Sequence, residues 1–228
     1  MSSPGPLFIV GTGPMIGSEI PKLFASKTFT QIALFARTTA TLTAAKDKIT
    51  AAAPSATIKL YTADVTDSPN LTKALEQAVT DLGKPEVVVF NAARINYGMF
   101  DTYTEADILL DFQIPNLGLY TTAKVLLPYL RSLAKEKENA HPCLFVTSSP
   151  LMHRPVAPVF SLSMAKTAQA SLTKTLAEMN KEVHVAVVSV DGPVTFDEPV
   201  NNPVSTAKMF WEAWEGKKEE WKFEYVVV

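Results

Sequence analysis

Gly11, Gly13 and Gly17 follow the apolar run Pro6–Val10 in the segment VGTGPMIGSEI, where a strand-like stretch gives way to a helix-like one. Glycine at such a junction lets the chain turn tightly and lets backbone approach a pyrophosphate, whose charge then meets the positive end of the helix. The chemistry implied is the cradling of a dinucleotide. The spacing departs from G-x-G-x-x-G, which would set glycine at Ile16 rather than at Gly17, and a glycine-rich turn without a ligand is the plain alternative. The next apolar run ends in FART, which places Arg37 about 20 residues beyond Gly17. No Asp or Glu lies between Ile32 and Ala45. A carboxylate there would accept hydrogen bonds from ribose hydroxyls and repel a 2′-phosphate, whereas Arg37 offers that phosphate a fork of donors. NADP(H) is therefore expected in preference to NAD(H), the alternative being a solvated surface arginine.

These residues need elements to hold them. Short apolar runs recur at Pro6–Val10, Gln31–Phe35, Thr57–Leu60, Glu86–Phe90, Leu144–Val146 and Val183–Val190. Runs apolar throughout, without alternation, suit strands covered on both faces. Between them Ile16–Ala25, Ala40–Ala52, Leu71–Leu82, Glu105–Glu136 and Ser163–Glu182 have helical length and composition. The alternation predicts an α/β, doubly wound, mostly parallel sheet flanked by helices. In the tail, Ser205–Trp214 reads as a helix and Trp221–Val228 as an edge strand, giving seven strands in a single domain over residues 1–228.

Composition agrees. The 228 residues carry 21 Lys+Arg and 23 Asp+Glu, net −2, so no strong field recruits nucleic acid or an acidic membrane. With 47% hydrophobic and 19% charged residues the chain can build a core. Its one cysteine, Cys143, can form neither an internal disulfide nor a metal cluster, which points to no metal and a reducing compartment. No apolar run approaches a membrane span, and Met1–Pro6 lacks the features of a signal peptide, so a cytoplasmic protein is expected.

Several stretches together resemble the short-chain dehydrogenase/reductase family along nearly the whole chain. Gly11 to Gly17 resembles its T-G-x-x-x-G-x-G turn, with Val10 at the Thr position and Met15 at the middle glycine. Asp64-Val65 resembles its Asp-Val pair, Asn91-Ala92-Ala93 its N-N-A-G, and Ser148-Ser149 the serines closing its fifth strand. SLSMAKTAQASLTKTLAEM is similar to its Y-x-x-x-K helix. The resemblance implies a Rossmann-like fold with a nucleotide on Gly11, Gly13, Met15, Ile16, Gly17, Arg37, Thr38, Asp64, Val65, Asn91, Ala92, Ala93, Lys166, Pro193 and Val194. It also implies a small-molecule substrate and a homodimer or homotetramer paired through the two long helices.

Aligning Lys166 with the family lysine puts Leu162 where the proton-donating tyrosine should stand. Ser149 keeps the place of the serine that hydrogen-bonds the substrate oxygen, and Lys166 can clamp the nicotinamide ribose. The family's helix asparagine aligns with Pro115, which is expected to keep a kink; Asn116, one residue on, is expected to project elsewhere. His153, as an imidazole, is a candidate substitute acid, as is Tyr97, although a solvent-facing histidine and a loop-anchoring aromatic are the bland readings. The resulting expectation is an NADP(H)-dependent oxidoreductase with an atypical proton source, reducing a carbonyl, imine or conjugated small molecule. A non-redox enzyme on the same fold (isomerase, cyclase or dehydratase) and a non-catalytic NADP(H)-sensing protein are the alternatives.

Overall fold

The apolar runs become strands because helices cover both their faces. In the computed structural model, which describes residues 4–227, seven strands form one sheet: β1 (Leu7–Val10), β2 (Gln31–Ala36), β3 (Thr57–Thr62), β4 (Val87–Phe90), β5 (Cys143–Ser148), β6 (His184–Ser189) and β7 (Glu224–Val226). Met1 to Ser3 and Val228 lie outside the described residues. The strand order is β3-β2-β1-β4-β5-β6-β7, and every pairing is parallel. Alternate side chains serve opposite faces. Phe8, Val10, Val88 and Phe90 face one core layer, Leu7, Ile9, Val87 and Val89 the other, all fully buried.

The first layer packs against α3 (Ser68–Leu82), α5 (Gly118–Glu136) and α6 (Phe160–Met179), through residues such as Leu71, Leu75, Leu126 and Leu130. The second packs against α1 (Ile16–Lys27), α2 (Thr39–Ala52) and α7 (Pro203–Glu215), through Ile20, Phe24, Leu42, Ile49 and Phe210. Several helices start where a side-chain oxygen can cap them. Thr38 accepts from the Thr41 N–H, Asp67 from that of Asn70 and Asn202 from that of Ser205. Trp211 and Trp214 fill the seam between α1 and α7, with centroids 5.1 Å from Phe24 and 4.9 Å from Phe29 respectively. Trp221 stacks on His184 at 4.6 Å.

Two expectations need correction. The segment Glu105–Glu136 is not one helix: α4 (Glu105–Phe112) and α5 are separated by a π turn over Gln113–Leu117. Pro115 lacks an N–H and its ring crowds the carbonyl one turn back, so the regular ladder cannot run through and the wider turn absorbs the defect. The helix expected at Ser163 begins earlier, at Phe160, which brings Leu162 into its first turn. Ser163 Oγ donates to the Val159 carbonyl and accepts from the Val156 N–H, fixing that start. The strand order changes direction at β1 and β4, and the crevice outside their carboxyl ends is where a doubly wound sheet binds ligands.

Candidate active site

The glycine turn forms at the carboxyl end of β1. Gly11 has φ +94°, and its N–H and that of Thr12 both donate to the Phe35 carbonyl, at 3.1 and 2.8 Å. Gly17, the second residue of α1, lies so close to this turn that a Cβ would stand 2.8 Å from the Gly11 carbonyl oxygen. Gly13 faces open space, with nothing within 4 Å of where a Cβ would stand. Met15 precedes α1 without any side-chain cap, and Ile16 is its first residue. The first N–H groups of α1 thus lack a capping side chain, as an anion site requires.

The turn borders a groove of about 500 Å³ walled by the carboxyl ends of β1 to β4. Arg37 lines it, exposed and without a partner among the described residues. Thr38 is spent on capping α2. Asp64 and Val65 line the floor near β3, with Asp64 Oδ1 accepting from the Thr66 N–H and hydroxyl at 2.9 and 2.8 Å. Asn91 locks three strand ends together. Its Nδ2 donates to the Gly11 carbonyl at 2.9 Å and its Oδ1 accepts from the Thr147 hydroxyl at 2.8 Å. Ala92 and Ala93 complete that wall. The groove, a helix start without a capping side chain and a guanidinium without a partner among the described residues together fit a dinucleotide.

Beyond the groove, Lys166 is buried on α6. Its Nζ donates to the Thr147 carbonyl at 2.8 Å and to Gln169 Oε1 at 2.9 Å, while Gln169 Nε2 donates to the Pro115 carbonyl at 3.0 Å. Desolvation pulls its pKa down to about 8. Leu162, one turn earlier on the same helix, is also buried. Ser149 Oγ is buried and has no hydrogen-bond partner among the described residues, whereas Ser148 Oγ donates to Met152 Sδ at 3.6 Å. Asn116 does not project elsewhere: it is buried, and its Nδ2 donates to the carbonyls of Ala165 and Phe112, each at 3.1 Å. The π turn rotates it from where an α-helix would have put it.

Four sequence candidates stand apart from this constellation. His153 is 58% exposed and pairs with Glu224 of the edge strand at 2.8 Å. Tyr97 is 69% exposed on the loop after β4. Pro193 is exposed and Val194 half-buried against the α1–α2–α7 layer; neither lines the groove. Sequence reasoning missed Arg94, which follows Asn-Ala-Ala, lines the groove and bonds Asp111 and Asp107 of α4 at 3.0 and 2.8 Å. Hydrogen bonds from Thr104 and Arg94 hold the Asp107 carboxyl below its ordinary range. The four-residue spacing of those aspartates on one helix face was a signal for a basic partner. Gln169, three residues after Lys166, was also missed.

A model of the short chain dehydrogenase family matches residues 7–207. The chain belongs to that family. A short chain dehydrogenase/reductase of Claviceps purpurea is 29% identical over 165 residues, which cover 72% of this chain. Two curated relatives are spanned over only 30% and 53% of their own length, the second being the Claviceps protein. Among solved structures, an alcohol dehydrogenase of Thermococcus sibiricus in complex with 5-hydroxy-NADP superposes with a TM-score of 0.87 at 18% identity, covering 97% of this chain and 95% of its own. An NADPH-bound short chain oxidoreductase of Pseudomonas aeruginosa PAO1, containing an atypical catalytic center, does so with a TM-score of 0.84 at 18% identity, covering 98% and 95%. At these identities the superpositions establish the fold of this family member.

Proposed function

We propose that this protein is an NADP(H)-dependent oxidoreductase that reduces a small carbonyl or conjugated molecule without a phenolic acid. The observation that carries the reading is Arg37, a guanidinium without a partner among the described residues that lines the same groove as the glycine turn. Nucleotide complexes of the Thermococcus and Pseudomonas proteins support it. In this reading Gly11, Gly13 and the start of α1 receive the pyrophosphate, Arg37 the 2′-phosphate and Asp64 the adenine side. The bound nicotinamide would supply hydride. Ser149 offers its unengaged hydroxyl to the substrate oxygen, and Lys166 supplies a fixed positive charge. Leu162 takes the place of the proton donor, and His153, committed to Glu224 at the surface, does not substitute for it.

The test is to titrate the purified protein with NADPH and NADH by fluorescence, then follow nicotinamide absorbance with carbonyl, imine and conjugated substrates. Tight NADPH binding with turnover supports the reading; binding of neither nucleotide overturns it. Tight NADPH binding without turnover would instead favour a nucleotide-sensing or non-redox protein, a second reading motivated by the hydrocarbon at Leu162. We also propose a homo-oligomer paired through α5 and α6, whose surfaces expose Tyr120 and Met164; its mass in solution tests this.

A further inference from the structure

Arg94 stands where the groove meets α4. It follows Ala93 directly, lines the groove, and reaches across to the helix: Nη1 donates to Asp111 Oδ1 at 3.0 Å and Nη2 to Asp107 Oδ1 at 2.8 Å. The N–H bonds of a guanidinium lie in its own plane, so two acceptors four residues apart on one helix fix the orientation of that plane. Asp111 is buried, and its Oδ2 has no partner among the described residues, so its charge rests on Arg94. The Arg94 side chain nevertheless stays 31% exposed, and it lines the groove beside the apolar Leu110 and Ile114.

Charge decides what Arg94 can receive there. One guanidinium against two carboxylates makes this corner net negative, so a phosphate gains little by approaching it. Arg37, which has no partner among the described residues, is the better anion receptor of the same groove. A guanidinium with its charge compensated and its plane fixed still has a flat face, and that face stacks on aromatic rings. Because the side chain is already held, little rotamer freedom is lost when a ring settles on it. Ser149, Leu162 and Lys166 are not among the residues lining this groove. The ring that meets Arg94 is therefore the one at the far end of a dinucleotide from its nicotinamide.

Resting on the nucleotide-binding reading above, we propose that Arg94, held flat by Asp107 and Asp111, is a stacking platform for the adenine base, serving NADPH and NADH alike. Fluorescence titration with both nucleotides tests it. Arg94→Lys keeps the charge and loses the flat face, and should weaken both about tenfold while the salt dependence of binding stays as in wild type. Removing the charge outright would strand the Asp111 carboxylate, so a second pair of variants is made in an Asp111→Leu background, with thermal unfolding as the control for folding. There Arg94→Met should show the same loss, and Arg94→Phe should recover most of it, because an aromatic face stacks on a base whereas a merely structural link to α4 would not be restored. Unchanged binding by folded Arg94→Lys, or equal loss in the Met and Phe variants, overturns this proposal alone. So does a loss confined to NADPH with a shallower salt dependence, which would assign Arg94 to the 2′-phosphate. Failure of the wild-type protein to bind either nucleotide overturns it together with the reading on which it rests.

Discussion

Gly11 and Ala92 touch across the floor of the groove: a Cβ on Gly11 would lie 2.4 Å from the Ala92 backbone nitrogen. The φ of +94° adds strain for any side chain. Gly11→Ala is therefore expected to destabilise the fold by about 2–4 kcal/mol, read by urea unfolding. Gly13→Ala is the informative contrast. Its Cβ would meet nothing within 4 Å, so folding should be unchanged while NADPH binding weakens about tenfold or more, because the methyl intrudes where a pyrophosphate must approach. Equal binding by wild type and Gly13→Ala would remove the nucleotide from this turn.

Arg37 has no partner to lose among the described residues, so Arg37→Glu should leave stability within about 0.5 kcal/mol. It should weaken NADPH binding about ten- to a hundredfold, by losing charge-assisted bonds to the 2′-phosphate. NADH binding should hold or strengthen, since the introduced carboxylate can accept hydrogen bonds from the ribose hydroxyls. Fluorescence titration with the two nucleotides checks this, and parallel losses for both would refute the assignment of NADP(H) preference.

The features legible in sequence are those in which neighbours along the chain decide the outcome. The apolar runs give the strands, Gly11 to Gly17 the turn, and the absence of a carboxylate near Arg37 the character of the groove mouth. Chain-distant pairings were not legible. Nothing local to His153 shows that Glu224 awaits it on the edge strand. Pro115 announces a break, but not that the break is a π turn that rotates Asn116 inward. Arg94 reads as a surface residue until α4 folds against it with Asp107 and Asp111. Gln169 reads as one polar residue on a helix until Lys166 and Pro115 close on its two ends.

His184 gives the fold a weak point in acid. It is buried between Trp221 and Phe145, and burial draws its pKa down to about 4, against smaller opposing effects of backbone hydrogen bonds. Between pH 6.5 and 4 the unfolded chain binds a proton here that the folded chain does not, so stability falls as pH falls through that window. The full loss from this group is about 3 kcal/mol. His184→Phe removes the titration. Although it is less stable near neutrality because the bond to the Lys222 carbonyl is gone, its unfolding free energy should decline less steeply than that of wild type below pH 6.5. Identical slopes in denaturant titrations across the window would show that His184 is protonated in the folded state.

Leu162→Tyr asks whether the hydrocarbon alone withholds ketone chemistry. The new phenol would stand one helical turn before Lys166, whose positive charge favours the phenolate and so lowers its pKa from about 10. A positioned acid is worth about 10²–10⁴ in rate, so reduction of a saturated ketone by NADPH should rise by a factor in that range. That gain should fade above pH about 8, where Lys166 loses the charge that tunes the phenol. The larger ring enters a packed site, and about 1–3 kcal/mol of stability is expected to be lost, well within what a domain of this size withstands. A variant that folds and binds NADPH as wild type does, yet gains no ketone activity, would locate the deficit in Lys166. Its ammonium would then be held by Thr147 and Gln169 too far from the new hydroxyl to tune it, and Gln169→Ala added to Leu162→Tyr should release the missing rate.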